Sequence, residues 1–148
     1  MRIAIASDHA AYDLKQRLLP WLAEHGHVVS DLGTHGPESV DYPDYGRALG
    51  LAVASGDVER GIALCGSGIG ISIAANRIAG CRCALVSEPL SATLARSHND
   101  ANAIAMGARL MGDDMARACI TAFLATDFEG GRHQRRVDKL GMTEGSPQ

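Results

Sequence analysis

Aromatic side chains are nearly missing from this chain, with one Trp, three Tyr and two Phe making up 4% of 148 residues. Proteins that grip single-stranded nucleic acid stack bases on such rings, which argues against that class. A surplus of positive charge is missing too. Fourteen Lys and Arg stand against seventeen Asp and Glu, a net charge of −3, whereas a binder of phosphate backbones needs a basic footprint. No apolar run approaches the roughly 18 residues that a membrane-spanning helix takes. The first run, Ile3-Ala4-Ile5-Ala6, meets Ser7-Asp8-His9 at once, too soon for the core of a secretion signal. Cysteine is sparse, with four residues at 65, 81, 83 and 119. A secreted disulfide scaffold would be shorter and richer in cysteine, so these read as reduced thiols of a cytoplasmic protein. Cys81-Arg82-Cys83 has no second Cys/His pair at zinc-finger spacing. Two small buried hydrophobes on one face of a strand account for the pair, and no metal site is read from the sequence.

What is present is ordinary globular composition, 46% hydrophobic and 21% charged, in a length that suits one domain with one core. Short apolar runs alternate with helical patterns. Strands are expected at Arg2–Ala6, His27–Asp31, Gly61–Cys65, Arg82–Val86 and Ala103–Met106. Helices are expected at Tyr12–His25, closed by Gly26, and at Tyr42–Ser55, with Pro43 in the first turn. Further helices follow at Ile71–Ile78, around Ser91–Ser97, at Gly112–Ala125 and at Arg132–Leu140. Five strand–helix alternations imply a single Rossmann-like three-layer αβα sandwich with a five-stranded parallel sheet. The domain is expected to span 1–142, with a polar, frayed tail at 143–148.

Ligands of such folds bind at the carboxyl ends of the strands. There the sequence places Ser7-Asp8-His9, then Cys65-Gly66-Ser67-Gly68-Ile69-Gly70, then Ser87-Glu88-Pro89, with His98-Asn99-Asp100 behind the fourth strand. Three glycines in five residues at a helix start let backbone N–H groups turn inward as an anion nest. The spacing is neither a dinucleotide fingerprint nor a Walker loop. Tight packing explains such a turn as well as anion binding does, but a thiol beside N–H donors is where a thiolate is favoured. Arg132 and Arg136 lie four apart on the last helix, either as a solvated basic face or as a guanidinium clamp on a phosphate.

The set Asp8-His9, Asp41-Tyr42-Pro43, Cys65-Gly-Ser-Gly-Ile-Gly-Ile-Ser-Ile-Ala-Ala-Asn76, Ser87-Glu88-Pro89, His98-Asn99-Asp100-Ala-Asn102, Gly107-Ala-Arg109 and Glu129-Gly-Gly-Arg132-His-Gln-Arg-Arg136 resembles ribose-5-phosphate isomerase type B. The resemblance runs over roughly residues 1–140. That family also holds isomerases of allose 6-phosphate, galactose 6-phosphate and phosphorylated tetroses. The resemblance implies an aldose–ketose isomerase working through a cis-enediolate without a cofactor or metal. Cys65 would be the base for the C2 proton, and the N–H groups of Gly66, Ser67, Gly68, Ile69 and Gly70 the oxyanion hole, with Ser67 where threonine is common. His98 would open the sugar ring and Asn99 contact the substrate. Asp8 and His9 would contact sugar or phosphate, Tyr42 line the pocket, and Arg109, Arg132 and Arg136 clamp the phosphate. One branch of the family uses a carboxylate base just after the glycine loop. Ile71 stands there, which puts this chain in the cysteine branch. The resemblance further implies a homodimer, alone or paired into a dimer of dimers, whose His98, Asn99 and Arg109 reach the partner's pocket. A non-catalytic sugar-phosphate sensor is the competing reading. The retained Cys65 and His98 weigh against it, since a pure binder needs no proton-transfer groups.

Overall fold

The computed structural model describes residues 1–142; the expected tail at 143–148 lies outside the described residues. The strands are β1 (Arg2–Ser7), β2 (Val28–Asp31), β3 (Arg60–Cys65), β4 (Cys83–Leu85) and β5 (Ala103–Gly107). The helices are α1 (Tyr12–Glu24), α2 (Tyr42–Ala54), α3 (Ile69–Asn76), α4 (Pro89–Asn99), α5 (Asp113–Ala125) and α6 (Gln134–Leu140). Every strand pair is parallel, in the order β2-β1-β3-β5-β4. The three central strands are almost entirely buried, while the edge strands β2 and β4 are only partly covered. That is the burial expected of strands flanked by helices on both faces.

Two cores sit on the two faces of the sheet. On one, Ile3, Ile5, Ile62, Leu64, Ile104 and Met106 pack against Leu14, Leu18 and Leu22 of α1, Ala92 and Ala95 of α4, and Ile120 and Phe123 of α5. The i, i+4 spacing of the α1 leucines gives one apolar stripe. On the other face, Ala4, Ala6, Ala63 and Ala105 meet Leu49 and Val53 of α2 and Ile71 and Ala75 of α3. Strands therefore alternate bulky residues toward one face and alanines toward the other, and the alanine face brings α2 and α3 close to the sheet.

Two local expectations, the start of α3 and the single last helix, are corrected, and the turn after β1 is a new feature. α3 begins at Ile69 rather than Ile71, because Gly68 adopts a left-handed φ of 78° and starts the helix directly from the loop. Asp8 starts a 3-10 turn at His9–Ala11, its Oδ1 accepting the N–H groups of Ala10 (3.0 Å) and Ala11 (3.3 Å). The last helix is split, with Arg132 in a 3-10 turn (Gly131–His133) and Arg136 in α6. His133 and Val137 anchor that segment, whereas Leu140 is 62% exposed.

Candidate active site

β1 and β3 are neighbours whose following helices leave on opposite faces, which makes the gap between their carboxyl ends the topological switch point. Asp8 follows β1 and Cys65 ends β3; the Asp8 N–H donates to Leu64 C=O at 3.2 Å and ties the two ends together. Cys65 is in register with Gly107 at the end of β5. A cleft of about 560 Å³ opens there, lined by Asp8, His9, Tyr42, Cys65, the start of the glycine loop and Arg109. Its size falls in the range of small-ligand sites.

The loop is built around the sulfur. Gly68 donates its N–H to Cys65 Sγ at 3.1 Å, and Ser67 Oγ accepts the Ile69 N–H at 3.2 Å. The next donors of the first turn, Gly70 and Ile71, have no preceding turn to bond to, so they stay free for an anion. Space for this loop comes from Gly107. A Cβ there would stand 2.6 Å from the Ser67 carbonyl carbon, a contact no side chain tolerates. The loop's other wall is Tyr42, whose ring fills the place a Gly70 side chain would take.

The remaining groups are aimed by backbone contacts. His9 Nδ1 accepts the Val40 N–H at 3.1 Å, so the neutral ring carries its proton on Nε2, as a donor. Arg109 lies over Gly66, its Nη1 3.1 Å from where a Gly66 Cβ would stand. The Arg109 N–H donates to Gly66 C=O at 3.0 Å, and that of Ala108 to Cys65 C=O at 2.9 Å. Arg109 thus lines the cleft of its own chain.

The other expected site residues are not brought to this cleft within one chain. His98 and Asn99 end α4, which stops at Asp100 in a left-handed conformation (φ 45°). The Asp100 carboxylate is held by Arg96 at 2.9 Å and Arg82 at 3.1 Å, which fixes the helix end. Asn99 lines a separate cleft of about 420 Å³ with Asn76, Cys81, Arg82, Cys83 and Leu140. Arg132 and Arg136 are exposed. The His98 ring stacks on His133 with centroids 4.3 Å apart and Glu129 beside it, a cluster that the linear spacing of 98, 129 and 133 did not signal. Gly107 was legible only as part of a motif; its partner Ser67 is 40 positions away. All four cysteines are buried, and of them only Cys65 lines the cleft. Burial pushes Cys81 up to about 11 and raises Cys83 and Cys119, so all three stay protonated near neutrality.

A thiol next to an N–H cradle, facing a carboxylate and an imidazole donor with a guanidinium at the rim, can move a carbon-bound proton beside a developing oxyanion. Fold and cleft together fit an enzyme of the aldose–ketose isomerase class. A family model described as Ribose/Galactose Isomerase matches residues 3–140, and the chain belongs to that family. It is 46% identical over 143 residues to ribose-5-phosphate isomerase B of Escherichia coli (strain K12), covering 97% of this chain and 96% of that one. The D-erythrulose-4-phosphate isomerase of Pectobacterium atrosepticum is 41% identical over 146 residues, with 97% and 95% covered. Among solved structures, ribose-5-phosphate isomerase B of Clostridium thermocellum superposes with a TM-score of 0.94 at 48% identity, covering 95% of each chain.

Proposed function

We propose that this enzyme interconverts D-ribose 5-phosphate and D-ribulose 5-phosphate, with Cys65 as the base. The observation that carries the reading is the Gly68 N–H donated to Cys65 Sγ at the head of α3, across the switch point from Asp8. In this scheme the Cys65 thiolate takes the C2 proton of the open-chain aldose and returns it to C1. The O2 proton is exchanged for one on O1 in the same cis-enediolate. The loop N–H groups stabilise the oxygen as charge grows on it, because they already point there. His98 moves the anomeric hydroxyl proton to the ring oxygen and opens the furanose. His9, Arg109, Arg132 and Arg136 hold the phosphate, and the arginines offer forked donors that match it.

A second copy of the chain supplies His98, Asn99, Arg132 and Arg136 in this scheme. Two observations support that reading: these residues lie off their own chain's cleft, and the cleft's rim is apolar. Ile69, Ile73 and Leu110 are 50%, 60% and 71% exposed beside it, more apolar surface than a lone polar site needs. The 41%-identical tetrose relative favours a second reading, a shorter sugar phosphate in the same machinery. An isomerase assay on four-, five- and six-carbon phosphorylated aldoses and ketoses decides between them, with turnover expected to peak at ribose 5-phosphate. Cys65→Ala should abolish C2 proton exchange and keep phosphate binding; exchange at the wild-type rate would refute the base.

A further inference from the structure

We propose that His98, Glu129 and His133 form a divalent-metal site of the zinc type, whose occupancy withdraws His98 from ring opening and so inhibits the enzyme. The inhibitory part rests on the role given to His98 above; the site itself does not. One donor atom from each residue lies within 4.8 Å of the other two. Two imidazoles and a carboxylate are a ligand set that zinc takes up, leaving a fourth position open to solvent.

The geometry is closer to a metal site than to a finished hydrogen-bond pair. His133 Nε2 stands 3.3 Å from Glu129 Oε2. Bonds of about 2.0–2.1 Å to a tetrahedral zinc put neighbouring donors roughly 3.3 Å apart, so these two atoms already span one edge of the polyhedron. His133 Nε2 is buried and makes no hydrogen bond, and its side chain is only 8% exposed. A buried nitrogen left unpartnered costs free energy unless something else meets it. Glu129, by contrast, is 58% exposed and opens the site to incoming metal.

His98 is the adjustable ligand. Its ring lies nearly parallel to that of His133, 13° between planes and 4.3 Å between centroids. A metal sits in the plane of each imidazole that binds it, so His98 must turn edge-on about its Cβ–Cγ bond, and its half-buried position leaves it free to do so. The two segments are already tied at the backbone. The Glu129 N–H donates to Ser97 C=O at 3.0 Å, which clasps the ligand loop to the residue before His98.

Metal-free wild-type protein, titrated with Zn²⁺ against a chromophoric chelator, should bind one ion per chain. Binding should survive Cys65→Ala, which removes the cleft thiol as a rival ligand. It should weaken in Glu129→Gln by at least about 10–100-fold, the loss that even outer-shell changes cause. This exposed substitution leaves the fold alone. Zinc at saturating concentration should suppress isomerisation of ribose 5-phosphate, chelator should restore it, and Glu129→Gln should need at least tenfold more zinc, each protein compared with its own metal-free rate. No stoichiometric binding, binding untouched by Glu129→Gln, binding lost in Cys65→Ala, or bound zinc without inhibition each overturns the proposal. Isomerase activity without zinc binding would remove the metal site and leave the isomerase reading standing. Zinc binding without activity on any sugar phosphate would remove the ring-opening role and leave the site.

Discussion

Four cysteines share one chain, but their surroundings assign them different chemistry. All four are buried, and for Cys81, Cys83 and Cys119 desolvation keeps the thiol protonated at pH 8. Cys65 faces the cleft and accepts the Gly68 N–H. Iodoacetamide at pH 8 is therefore expected to label Cys65 first, with sugar phosphate protecting it. Peptide mapping by mass spectrometry checks this, and earlier labelling of Cys81 would contradict it. His98 differs because its proposed task precedes the proton transfer. His98→Asn should lose most turnover on ribose 5-phosphate, which cyclises. It should lose far less on a tetrose 4-phosphate, which cannot close a ring through its phosphorylated oxygen. Steady-state kinetics on both substrates separates ring opening from a general loss of the site.

The glycine loop works only because the neighbouring strand makes room for it. In Gly107→Ala the new methyl would collide with the Ser67 backbone, and the loop must move away from β5. The expected cost is about 1–3 kcal/mol of stability for overpacking. A shift of the donors by an ångström should lower kcat on the order of 100-fold. Thermal melts and kcat measured together test this, and a variant with wild-type kcat would show the loop tolerates the displacement. A different contact joins α1 to α5. Arg17 Nε and Nη2 donate to Asp113 Oδ2 (2.6 Å) and Oδ1 (3.0 Å), a forked pair that holds the Asp113 carboxyl below its usual range. A carboxyl lowered by folding stabilises the fold above its unfolded value near about 3.9, and loses that contribution as pH falls through the lower folded value. The pair is largely exposed, so solvent screening limits it to roughly 0.2–1 kcal/mol. Asp113→Asn should melt slightly earlier than wild type at pH 7, with the gap closing as pH falls through the lowered Asp113 value and narrowing in high salt.

For the whole molecule, the decisive fact is that one chain presents half of the expected site. Cys65, Asp8, His9 and Arg109 meet in the cleft, whereas His98, Asn99, Arg132 and Arg136 lie elsewhere on the surface. If two copies complete each other's sites, complementation follows. Assayed at substrate well below the weakened Kd of Arg136→Ala, Cys65→Ala and Arg136→Ala should each retain little activity alone. An equimolar mixture, dissociated and reassembled, should regain about a quarter of wild-type activity, because half of the dimers are mixed and each mixed dimer has one intact site. Activity no greater than the sum of the parents would place both residues in one chain's site. Arg136→Ala alone should weaken ribose 5-phosphate and inorganic phosphate by comparable factors. A charge-assisted hydrogen bond contributes roughly 1.5–3 kcal/mol, about one to two decades. Lysine at that position should recover part of the loss, since it lacks the fork.

Periodicity and turn chemistry are short-range properties, and the sequence carried them well. The apolar runs marked all five strands, Gly26 and Pro43 marked helix boundaries, and the strand-end positions of Asp8 and Cys65 could be read by counting. The alternation alone implied a parallel sheet between helical layers, because crossovers of that length return a strand in the same direction. What no local rule contains is which strand ends become neighbours. The order β2-β1-β3-β5-β4 puts Asp8 beside Leu64 and Cys65 opposite Gly107, and it results from burying two unlike faces, one bulky and one of alanines. The helix start at Ile69 turned on a single left-handed glycine, one dihedral that the pattern of apolar residues does not encode. Two backbone hydrogen bonds, from Ala108 to Cys65 and from Arg109 to Gly66, bring Arg109 to the wall of its own chain's cleft. His98, Glu129 and His133 met because the loop after α5 is clasped to Ser97, across more than thirty residues of intervening chain. The sequence therefore determined the kinds of chemistry available and the ends of the strands where they sit. Packing decided which groups touch, since contacts between residues far apart in the chain exist only once the two cores have closed.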